Sequence, residues 1–382
     1  MTSSEAPVHT SAQDTSVRRV LIMAGGTGGH VIPALSLARA LIAQGVSVEW
    51  LGSPRGIENR LVPAANITLH RIDIAGLRGN GLAGWLVVPW RLSRAVSQAW
   101  RILQRFDPQL VVGMGGFASG PGGLAAWLSR RALVVHEQNA VAGMTNQALS
   151  RLATRVYAAF PGAFRKAGKA HKEIVIGNPV RSEIAALGRQ PRTAEEMQDR
   201  RLRVLVVGGS LGAQVLNQCL PEAFALLEAK APASKLPEIR HQAGRDKEDP
   251  TREAYAAAGI DAQVSDFIDA MAQAYEWADL VICRAGALTI AELAAAAKPS
   301  LLVPYLHAVD DHQTRNARHL VDADAALLIP QTTLDAASLA DTLATVLAPE
   351  RLATMAVAAR GCAHLDAVER LVDGCMEIGF ER

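Results

Sequence analysis

Short apolar runs alternate with longer helix-like segments along this chain, and the series starts twice. It starts at Arg19–Met23 and again at Val204–Val207, and each of these runs leads into a pair of glycines. Such alternation is typical of parallel sheets that carry helices on both faces. The restart predicts an α/β chain with two such domains. Further strands are predicted at Val46–Leu51, Leu110–Val112, Ala132–His136, Arg155–Ala158, Glu173–Gly177, Ile239–Gln242, Gln263–Ser265, Leu280–Cys283, Ser300–Pro304 and Ala325–Ile329.

The length of the chain favours the same division. Its 382 residues exceed what one hydrophobic core usually supports. We place the first domain at 18–179 and the second at 180–359. Residues 1–17 are rich in Ser and Thr and have neither a basic start nor an apolar core, so we expect a flexible tail and not a signal peptide.

The composition excludes several classes of protein. A hydrophobic content of 49% excludes general disorder, and a net charge of +2 gives no nucleic-acid-binding signature. The four cysteines form no C-x-x-C pair, which favours reduced thiols in the cytoplasm. Since no run approaches the roughly 18 to 20 apolar residues that span a bilayer, we expect any membrane contact to be peripheral.

Two glycine-rich loops follow strands of the first domain. The first is Gly25-Gly26-Thr27-Gly28-Gly29 and the second is Gly113–Gly123. Glycine permits a close backbone approach, and the N–H groups at a helix N-terminus bind phosphate. One such loop alone is equally well explained as a tight turn, but two at the same sheet edge favour a diphosphate site. The G-x-G-x-x-G fingerprint and the nucleotide P-loop are not met, which argues against a dehydrogenase and a nucleotide triphosphatase.

Polar residues follow other strand ends. His136 to Asn139 stand at the end of a predicted strand, and the glycine turn from Gly208 carries Ser210, a hydroxyl donor for phosphate. Asn139 is a candidate for orienting a sugar hydroxyl, whereas His136 and Glu137 are as well explained as braces of the loop. Glu292, in the second turn of a helix predicted from Ala287, is either a ribose ligand or a solvated glutamate.

Taken together, these segments resemble the MurG family of glycosyltransferases. The resemblance implies a GT-B fold, in which two Rossmann-like parallel-sheet domains face each other across a cleft, with a C-terminal helix at 360–382 that returns to the first domain. It extends in order from about residue 20 to residue 317. The matching segments are GGTGGHVIPA, LRGNGL, GMGGFASGPGGLAAW, HEQNAVAGMTN, AFPGAF, IGNPVR, GGSLGAQVLN, DFIDAMAQAY, CRAGALTIAEL and HQTRNA.

The resemblance also implies an activity. It is an inverting transfer of N-acetylglucosamine from UDP-N-acetylglucosamine to the C4 hydroxyl of the muramyl sugar of lipid I, which forms lipid II in peptidoglycan synthesis. The implied location is peripheral, at the cytoplasmic face of the bacterial inner membrane. Two alternatives stay open: a UDP-sugar 2-epimerase of the same fold, and a non-catalytic module that binds lipid diphosphates.

Residue by residue, the resemblance implies a donor site and an acceptor site. In the donor site, backbone groups of Ile268 would hold uracil and Glu292 would take the ribose hydroxyls. His30 is either the catalytic base, because imidazole exchanges protons near neutral pH, or only a ligand of the acceptor phosphate. The acceptor diphosphate is expected at Gly28, Gly29, His30, Gly115, Gly116 and Ser119. The donor residues are Thr27, Gly28, Gly29, Asn139, Arg181, Ser210, Ile268, Ala287, Leu288, Thr289, Ile290, Ala291, Glu292 and Gln313.

We expect no metal and no other cofactor. Helix N-termini and Arg181 would stabilise the leaving diphosphate. The metal-binding pattern D-x-D occurs at Asp322-Ala323-Asp324, but its position between a helix and a strand favours a chance match.

A basic segment without acidic residues spans Ala75 to Phe106. On a helix, Arg91, Arg94, Arg101 and Arg105 share one face, with Leu92, Val96, Ala99 and Leu103 roughly opposite. Such a helix favours an anionic membrane surface over the alternative of an ordinary solvated helix. The predicted membrane contacts are Trp85, Leu86, Val87, Trp90, Arg91, Arg94 and Arg101.

Overall fold

The computed structural model describes residues 18–74, 82–165, 173–209, 212–230 and 236–380. Side chains are not described at 82–88 and at 309. The tail predicted at 1–17 and the site residue Ser210 therefore lie outside the described residues.

Seven parallel strands form the first sheet within the described chain. Their order across the sheet is β3-β2-β1-β4-β5-β6-β7, so the first strand lies in the middle and the series winds outward on both sides. The strands are β1 (Arg19–Met23), β2 (Ser47–Gly52), β3 (Thr68–Arg71), β4 (Leu110–Gly113), β5 (Ala132–Glu137), β6 (Arg155–Ala158) and β7 (Ile174–Val175).

A second parallel sheet, of six strands in the described residues, repeats this winding. Its order is β10-β9-β8-β11-β12-β13, so the strand that restarts the sequence pattern again lies in the middle. The two parallel-sheet α/β domains predicted from the sequence are thereby confirmed. The strands are β8 (Arg203–Val207), β9 (Glu238–Gln242), β10 (Gln263–Ser265), β11 (Leu280–Cys283), β12 (Ser300–Leu302) and β13 (Ala326–Leu328).

Helices connect the strands and cover both sheets, as right-handed crossovers between parallel strands require. In the first domain they are α1 (Gly28–Ala43), α2 (Glu58–Ala64), α3 (Leu82–Phe106), α4 (Ser119–Leu128) and α5 (Met144–Leu149). The others are α6 (Ser182–Ala185), α7 (Glu195–Gln198), α8 (Gln214–Lys230), α9 (Glu248–Ala257), α10 (Met271–Trp277), α11 (Ala287–Ala295), α12 (His312–Val321), α13 (Ala336–Val346), α14 (Pro349–Gly361) and α15 (Ala367–Phe380).

Each central strand contributes to a core on both of its faces. Val20 and Ile22 of β1 belong to one hydrophobic cluster, and Leu21 and Met23 belong to the cluster on the opposite face. Side chains alternate in direction along a strand, so a strand buried on both faces reads as a continuous apolar run. This explains why the sequence pattern identified the central strands so directly.

The chain ends on the first domain. Leu371, Cys375 and Ile378 of α15 are buried in the same cluster as Val20 and Ile22. The C-terminal helix expected at 360–382 is corrected in its start, because α14 ends at Gly361 and α15 begins only at Ala367.

Candidate active site

The first glycine loop joins β1 to α1 at the carboxyl edge of the first sheet. Gly26 has a φ of +92°, and α1 begins at Gly28, immediately after Thr27. The N–H groups of His30 and Val31 both donate to the carbonyl of Thr27. Among the described residues, the N–H groups of Gly28 and Gly29 have no partner. They form the kind of open helix N-terminus that binds phosphate.

A buried glutamate that the sequence did not single out holds this loop in place. One carboxylate oxygen of Glu58 accepts the N–H of Gly26 at 2.9 Å, and the other accepts the hydroxyl of Ser53 at 2.8 Å. A methyl group on Gly25 would lie 2.6 Å from this carboxylate. Glycine at position 25 therefore leaves room for the carboxylate of Glu58.

The second glycine loop packs directly on the first. A Cβ on Gly116 would lie 2.5 Å from the carbonyl oxygen of Gly25, and a Cβ on Gly115 would lie 2.6 Å from Nδ1 of His30. The expected contact of Ser119 with the acceptor diphosphate needs correction. Its side chain is fully buried, and its hydroxyl bonds the carbonyl oxygens of Met23 and Gly115, so it ties the two loops together.

His30 is the first member of a hydrogen-bonded chain. Its Nδ1 lies 2.8 Å from Oε1 of Gln138, and Nε2 of Gln138 lies 3.1 Å from Nδ1 of His136. Nε2 of His136 lies 2.9 Å from the carbonyl oxygen of Gly177. Complete burial lowers the pKa of His136 to about 4, so this ring is neutral at physiological pH.

Glu137 and Asn139 are structural braces. The Glu137 carboxylate accepts the N–H groups of Asn139 and Gly143 and the amide of Asn146. Asn139 donates its side-chain amide to Glu137 and accepts an amide hydrogen of Asn316, from α12 of the second domain. Because an amide carries two donor hydrogens and two lone pairs, Asn139 keeps one of each for a sugar hydroxyl.

Two predicted donor-site residues form a buried ion pair in the second domain. Nε and Nη2 of Arg181 donate to one carboxylate oxygen of Glu292, at 3.1 and 2.8 Å, and the hydroxyl of Tyr275 donates to the other at 3.3 Å. Burial raises the pKa of Glu292, and Arg181 opposes that shift. The reading of Glu292 as a solvated glutamate is therefore wrong, since its side chain is 6% exposed.

The N-terminus of α11 supplies a second open set of N–H groups. Gly286 is the residue that caps this helix, and the N–H groups of Ala287, Leu288 and Thr289 have no partner among the described residues. Ile290 is corrected as a donor contact, because its N–H donates to Gly286 and its side chain is completely buried.

The remaining donor residues line the second domain beside this helix. Gln313 accepts the N–H of Tyr305 through Oε1 at 2.9 Å, which leaves its amide hydrogens free to meet a sugar hydroxyl. Ile268 lies in the loop between β10 and α10, where its backbone N–H and carbonyl take no part in a strand ladder. Ala291 lines a small cavity beside Gly177 and His364, and its expected donor contact stays a prediction.

The two halves of the site meet between the domains. Helices α1 and α11, which carry the open N-termini, approach within 8 Å between Cα atoms. Asn178 joins the domains by donating its amide to the carbonyls of Gln138 at 3.0 Å and Ala287 at 3.3 Å. Asn316 does the same by accepting the N–H of Ala140 at 2.8 Å.

The D-x-D sequence lies elsewhere. Asp322 and Asp324 occupy the exposed turn that leads from α12 into β13, at the amino edge of the second sheet. Asp322 pairs with Arg318 of its own helix. The pattern is thus at the edge opposite to the carboxyl ends of the strands.

The basic helix α3 differs in part from its expected face. Ala99 and Leu103 of the predicted apolar face are buried, whereas Leu92 of the same face is 39% exposed. Trp90, a predicted membrane contact, is 61% exposed. Arg94 pairs with Asp73 at 3.1 Å, so its charge has an acidic partner that the segment itself lacks. The side chains of Trp85, Leu86 and Val87 lie outside the described residues. A groove of about 580 Å³ runs along the helix and is lined by Pro89, Leu92, Ser93, Val96, Ser97, Trp100 and Leu124.

In the described parts of the chain, no helix is both long enough and apolar enough to cross a membrane.

Comparisons with known proteins cover almost the whole chain. The family model described as the glycosyltransferase family 28 N-terminal domain matches residues 20–158, and that of the family 28 C-terminal domain matches residues 203–371. A UDP-N-acetylglucosamine--N-acetylmuramyl-(pentapeptide) pyrophosphoryl-undecaprenol N-acetylglucosamine transferase from Chromohalobacter salexigens is 72% identical over 361 residues, which are 94% of this chain and 97% of that protein.

Solved structures agree. The crystal structure of MurG from Acinetobacter baumannii aligns with a TM-score of 0.79 at 41% identity, over 94% of this chain and 99% of that one. A putative UDP-N-acetylglucosamine 2-epimerase from Listeria monocytogenes aligns over 96% of this chain and 98% of its own, with a TM-score of 0.68. At 17% identity, that second likeness shows the fold alone.

Proposed function

This chain belongs to glycosyltransferase family 28, and on that premise we propose that it transfers N-acetylglucosamine from UDP-N-acetylglucosamine to an N-acetylmuramyl pentapeptide carried on undecaprenyl diphosphate, which is lipid I. The observation that carries the proposal is the approach of two helices from different domains, α1 and α11, each of which begins with open N–H groups. Two diphosphate-bearing substrates need two such sites, one on each side of the reacting sugars.

The donor occupies the second domain in this proposal. The ribose hydroxyls meet the free lone pairs of Glu292, and Arg181 holds that carboxylate in position. Backbone groups of Ile268 contact uracil, Ser210 and the N-terminus of α11 contact the diphosphate, and Gln313 contacts the sugar. Bound in this way, the leaving diphosphate faces N–H groups where its negative charge grows.

The acceptor occupies the glycine loops of the first domain. Its diphosphate meets the N–H groups of Gly28 and Gly29, and its C4 hydroxyl faces His30. His30 takes the hydroxyl proton as the oxygen bonds to the anomeric carbon, while the bond from that carbon to the diphosphate oxygen breaks on the opposite face. The products are a β-1,4-linked disaccharide and UDP, and a base in this position contributes about 10² to 10⁴ in rate.

The test is the release of UDP with and without a short-chain lipid I analogue. We expect release that depends on the acceptor. Glu292→Ala weakens UDP binding by about 10- to 100-fold, the worth of hydrogen bonds to a charged group. His30→Ala lowers turnover by about 10²-fold or more with UDP binding unchanged.

The control variant is His70→Ala. His70 lies on β3, the edge strand of the first sheet, and its Nε2 pairs with the carboxylate of Glu49 at 2.6 Å. Turnover of His70→Ala should therefore stay near that of the native protein. Release of UDP without acceptor would instead indicate an epimerase or hydrolase. Absence of release with bound lipid would indicate a binding module.

We propose further that no metal takes part. The charge of the leaving group is met by the N-terminus of α11 and by Arg181, which lie at the carboxyl edge of the second sheet. Turnover should therefore be the same with magnesium and with a chelator. Loss of turnover on chelation, restored by magnesium, would contradict this proposal.

Finally, we propose that the chain associates peripherally with an anionic membrane surface at the cytoplasmic face of the inner membrane. Support comes from the exposed side chains of Trp90 and Trp100 on α3, next to the exposed arginines Arg91, Arg101 and Arg105. An apolar groove flanked by cations suits lipid tails and anionic headgroups together. For the domains we retain the limits 18–179 and 180–359 as proposals.

A further inference from the structure

A neutral imidazole carries one proton on either of its two nitrogens, and only the bare nitrogen acts as a base. For His30 the choice between the two tautomers decides which edge of the ring takes up a proton. The chain of hydrogen bonds from His30 through Gln138 and His136 to Gly177 fixes this choice.

The donor and acceptor roles in this series of hydrogen bonds are set at Gly177. A backbone carbonyl only accepts hydrogen bonds, so Nε2 of His136, 2.9 Å away, carries the proton. The ring of His136 is neutral because burial lowers its pKa to about 4. Its Nδ1 is therefore bare and must accept a hydrogen bond from the group that faces it.

The orientation of the Gln138 amide then decides whether Nδ1 of His30 donates or accepts. Its NH₂ group faces two acceptors, Nδ1 of His136 at 3.1 Å and the carbonyl oxygen of His136 at 3.2 Å. If the amide were turned by 180°, its oxygen would face both of these acceptors and no donor. With the NH₂ group held there, Oε1 faces Nδ1 of His30 at 2.8 Å, so Nδ1 of His30 donates.

We propose that Gln138 and His136 are positioning residues that hold His30 as the Nδ1–H tautomer, with Nε2 as the basic nitrogen. The catalytic consequence rests on the proposed transferase function, whereas the tautomer itself is a property of the free protein. Among the described residues, Nε2 of His30 has no hydrogen-bond partner, so its lone pair is open to a substrate hydroxyl.

Burial makes the arrangement a stable one. Gln138 and His136 are 1% and 0% exposed, so water does not compete for their hydrogen bonds. The backbone of Gln138 is held as well, because its carbonyl accepts the amide of Asn178 from the connection between the domains. The base is thereby linked through buried groups to the segment where the chain leaves the first domain.

The tautomer is measured by nitrogen-15 NMR of protein labelled at histidine, with His30→Asn identifying the signals of His30. The free native protein should show Nδ1 protonated and Nε2 bare, which is the opposite of the tautomer that free histidine prefers. A native His30 found with Nε2 protonated would overturn the proposal, whatever the transferase activity.

Gln138→Leu removes the amide at nearly constant volume. In this variant we expect His30 to shift toward the Nε2–H tautomer and kcat to fall about 10-fold, the population change that one hydrogen bond of average strength supports. The KM for UDP-N-acetylglucosamine should stay the same, because the Gln138 side chain bonds His30 and His136, and neither is among the proposed donor contacts. An unchanged tautomer in this variant would contradict the role of Gln138.

Two further variants complete the test: one is a control, and the other replaces Gln138→Leu if that variant does not fold. Gln109→Leu removes a glutamine whose Oε1 accepts the N–H of Arg19 at the opposite edge of the same sheet, and it should change neither tautomer nor kcat. His136→Phe removes one of the two acceptors that orient Gln138 and leaves the backbone carbonyl, so the share of the Nε2–H tautomer of His30 should rise even if Gln138→Leu fails to fold. Native protein with the Nδ1–H tautomer but without acceptor-dependent UDP release would keep this inference and reject the transferase.

Discussion

Gly115 illustrates how closely single residues are fitted in this site. Its φ of +91° favours glycine, and its Cα lies against the ring of His30 so that no side chain has room. Either constraint alone would select glycine. Together they allow the second glycine loop to pack directly against the ring of the candidate base, His30.

We predict that Gly115→Ala moves the ring of His30 and lowers turnover by about 10²-fold, the effect of misplacing a catalytic group by ~1 Å. The matched control is Gly45→Ala, at the end of α1, where φ is +77° but no atom lies within 4 Å of the added Cβ. Both variants should lose about 1 to 2 kcal/mol of unfolding free energy from backbone strain alone. Calorimetry measures the free energy of unfolding, and UDP release measures turnover. Equal turnover in the two variants would contradict the role of Gly115 in placing His30.

Sequence patterns led to some site residues and not to others. His30 and Glu292 stand inside recognisable segments, so they were named before the structure. Gln138 and Asn316 stand inside such segments too, and Glu58 does not, but the sequence indicated the role of none of the three. Each acts through a partner far away in the chain: Glu58 on Gly26, Gln138 on His30, and Asn316 on Ala140. A lone glutamate or amide carries no periodic signal, and its partner is fixed only by the fold.

Among the elements, central strands were predicted best. The central strands β1 and β11 have the predicted ends, because an apolar run identifies a strand that is buried on both faces. The ends of β6 and of the edge strand β10 were predicted as well. Strand β3, Thr68–Arg71, was not predicted. It lies at the edge of the first sheet and is largely polar, so it lacks the apolar run that identifies a buried strand. The break between α14 and α15 was missed as well, since apolar residues continue on both sides of it.

We predict that exposed arginines of helix α3 bind anionic phospholipid. Replacing Arg91 and Arg101 together by alanine should weaken binding to vesicles that contain anionic phospholipid by about 30-fold, at about 1 kcal/mol for each arginine. Arg94 is left in place because Asp73 already pairs with it. Sedimentation with vesicles measures the effect.

The control for α3 is the double variant Arg39→Ala, Arg351→Ala. These two arginines are exposed on other helices, so the net charge changes by the same amount. This control should bind as the native protein does. Equal loss of binding in both double variants would indicate a general charge effect and no specific surface on α3.

For the whole molecule, the relation between the domains depends on a few buried amides. Asn316 is completely buried and joins Ala140 and Asn139 of the first domain to α12 of the second. Asn178 adds a second bridge. Such bonds are directional, so they fix how α1 and α11 face each other more sharply than apolar packing does.

We predict that Asn316→Ala lowers kcat/KM for both substrates about 10-fold, because the partly buried N–H of Ala140 loses its acceptor at a cost of about 1 to 3 kcal/mol. Asn217→Ala is the control. Asn217 is also buried, but it bonds Ala243 and His241 within the second domain. Comparable thermal destabilisation with loss of kcat/KM only in Asn316→Ala would support the bridge, and small-angle scattering should show the domains further apart in that variant alone.

The return of α15 to the first sheet has a consequence for biosynthesis. Strands β1 to β7 leave the ribosome first, but the cluster around Val20 and Ile22 is complete only when Leu371 and Cys375 have emerged. Domains made first usually fold first during translation. Here the first sheet keeps an apolar face uncovered until α15 has been synthesised, so termination near residue 366 yields a polypeptide that chaperones and proteases recognise.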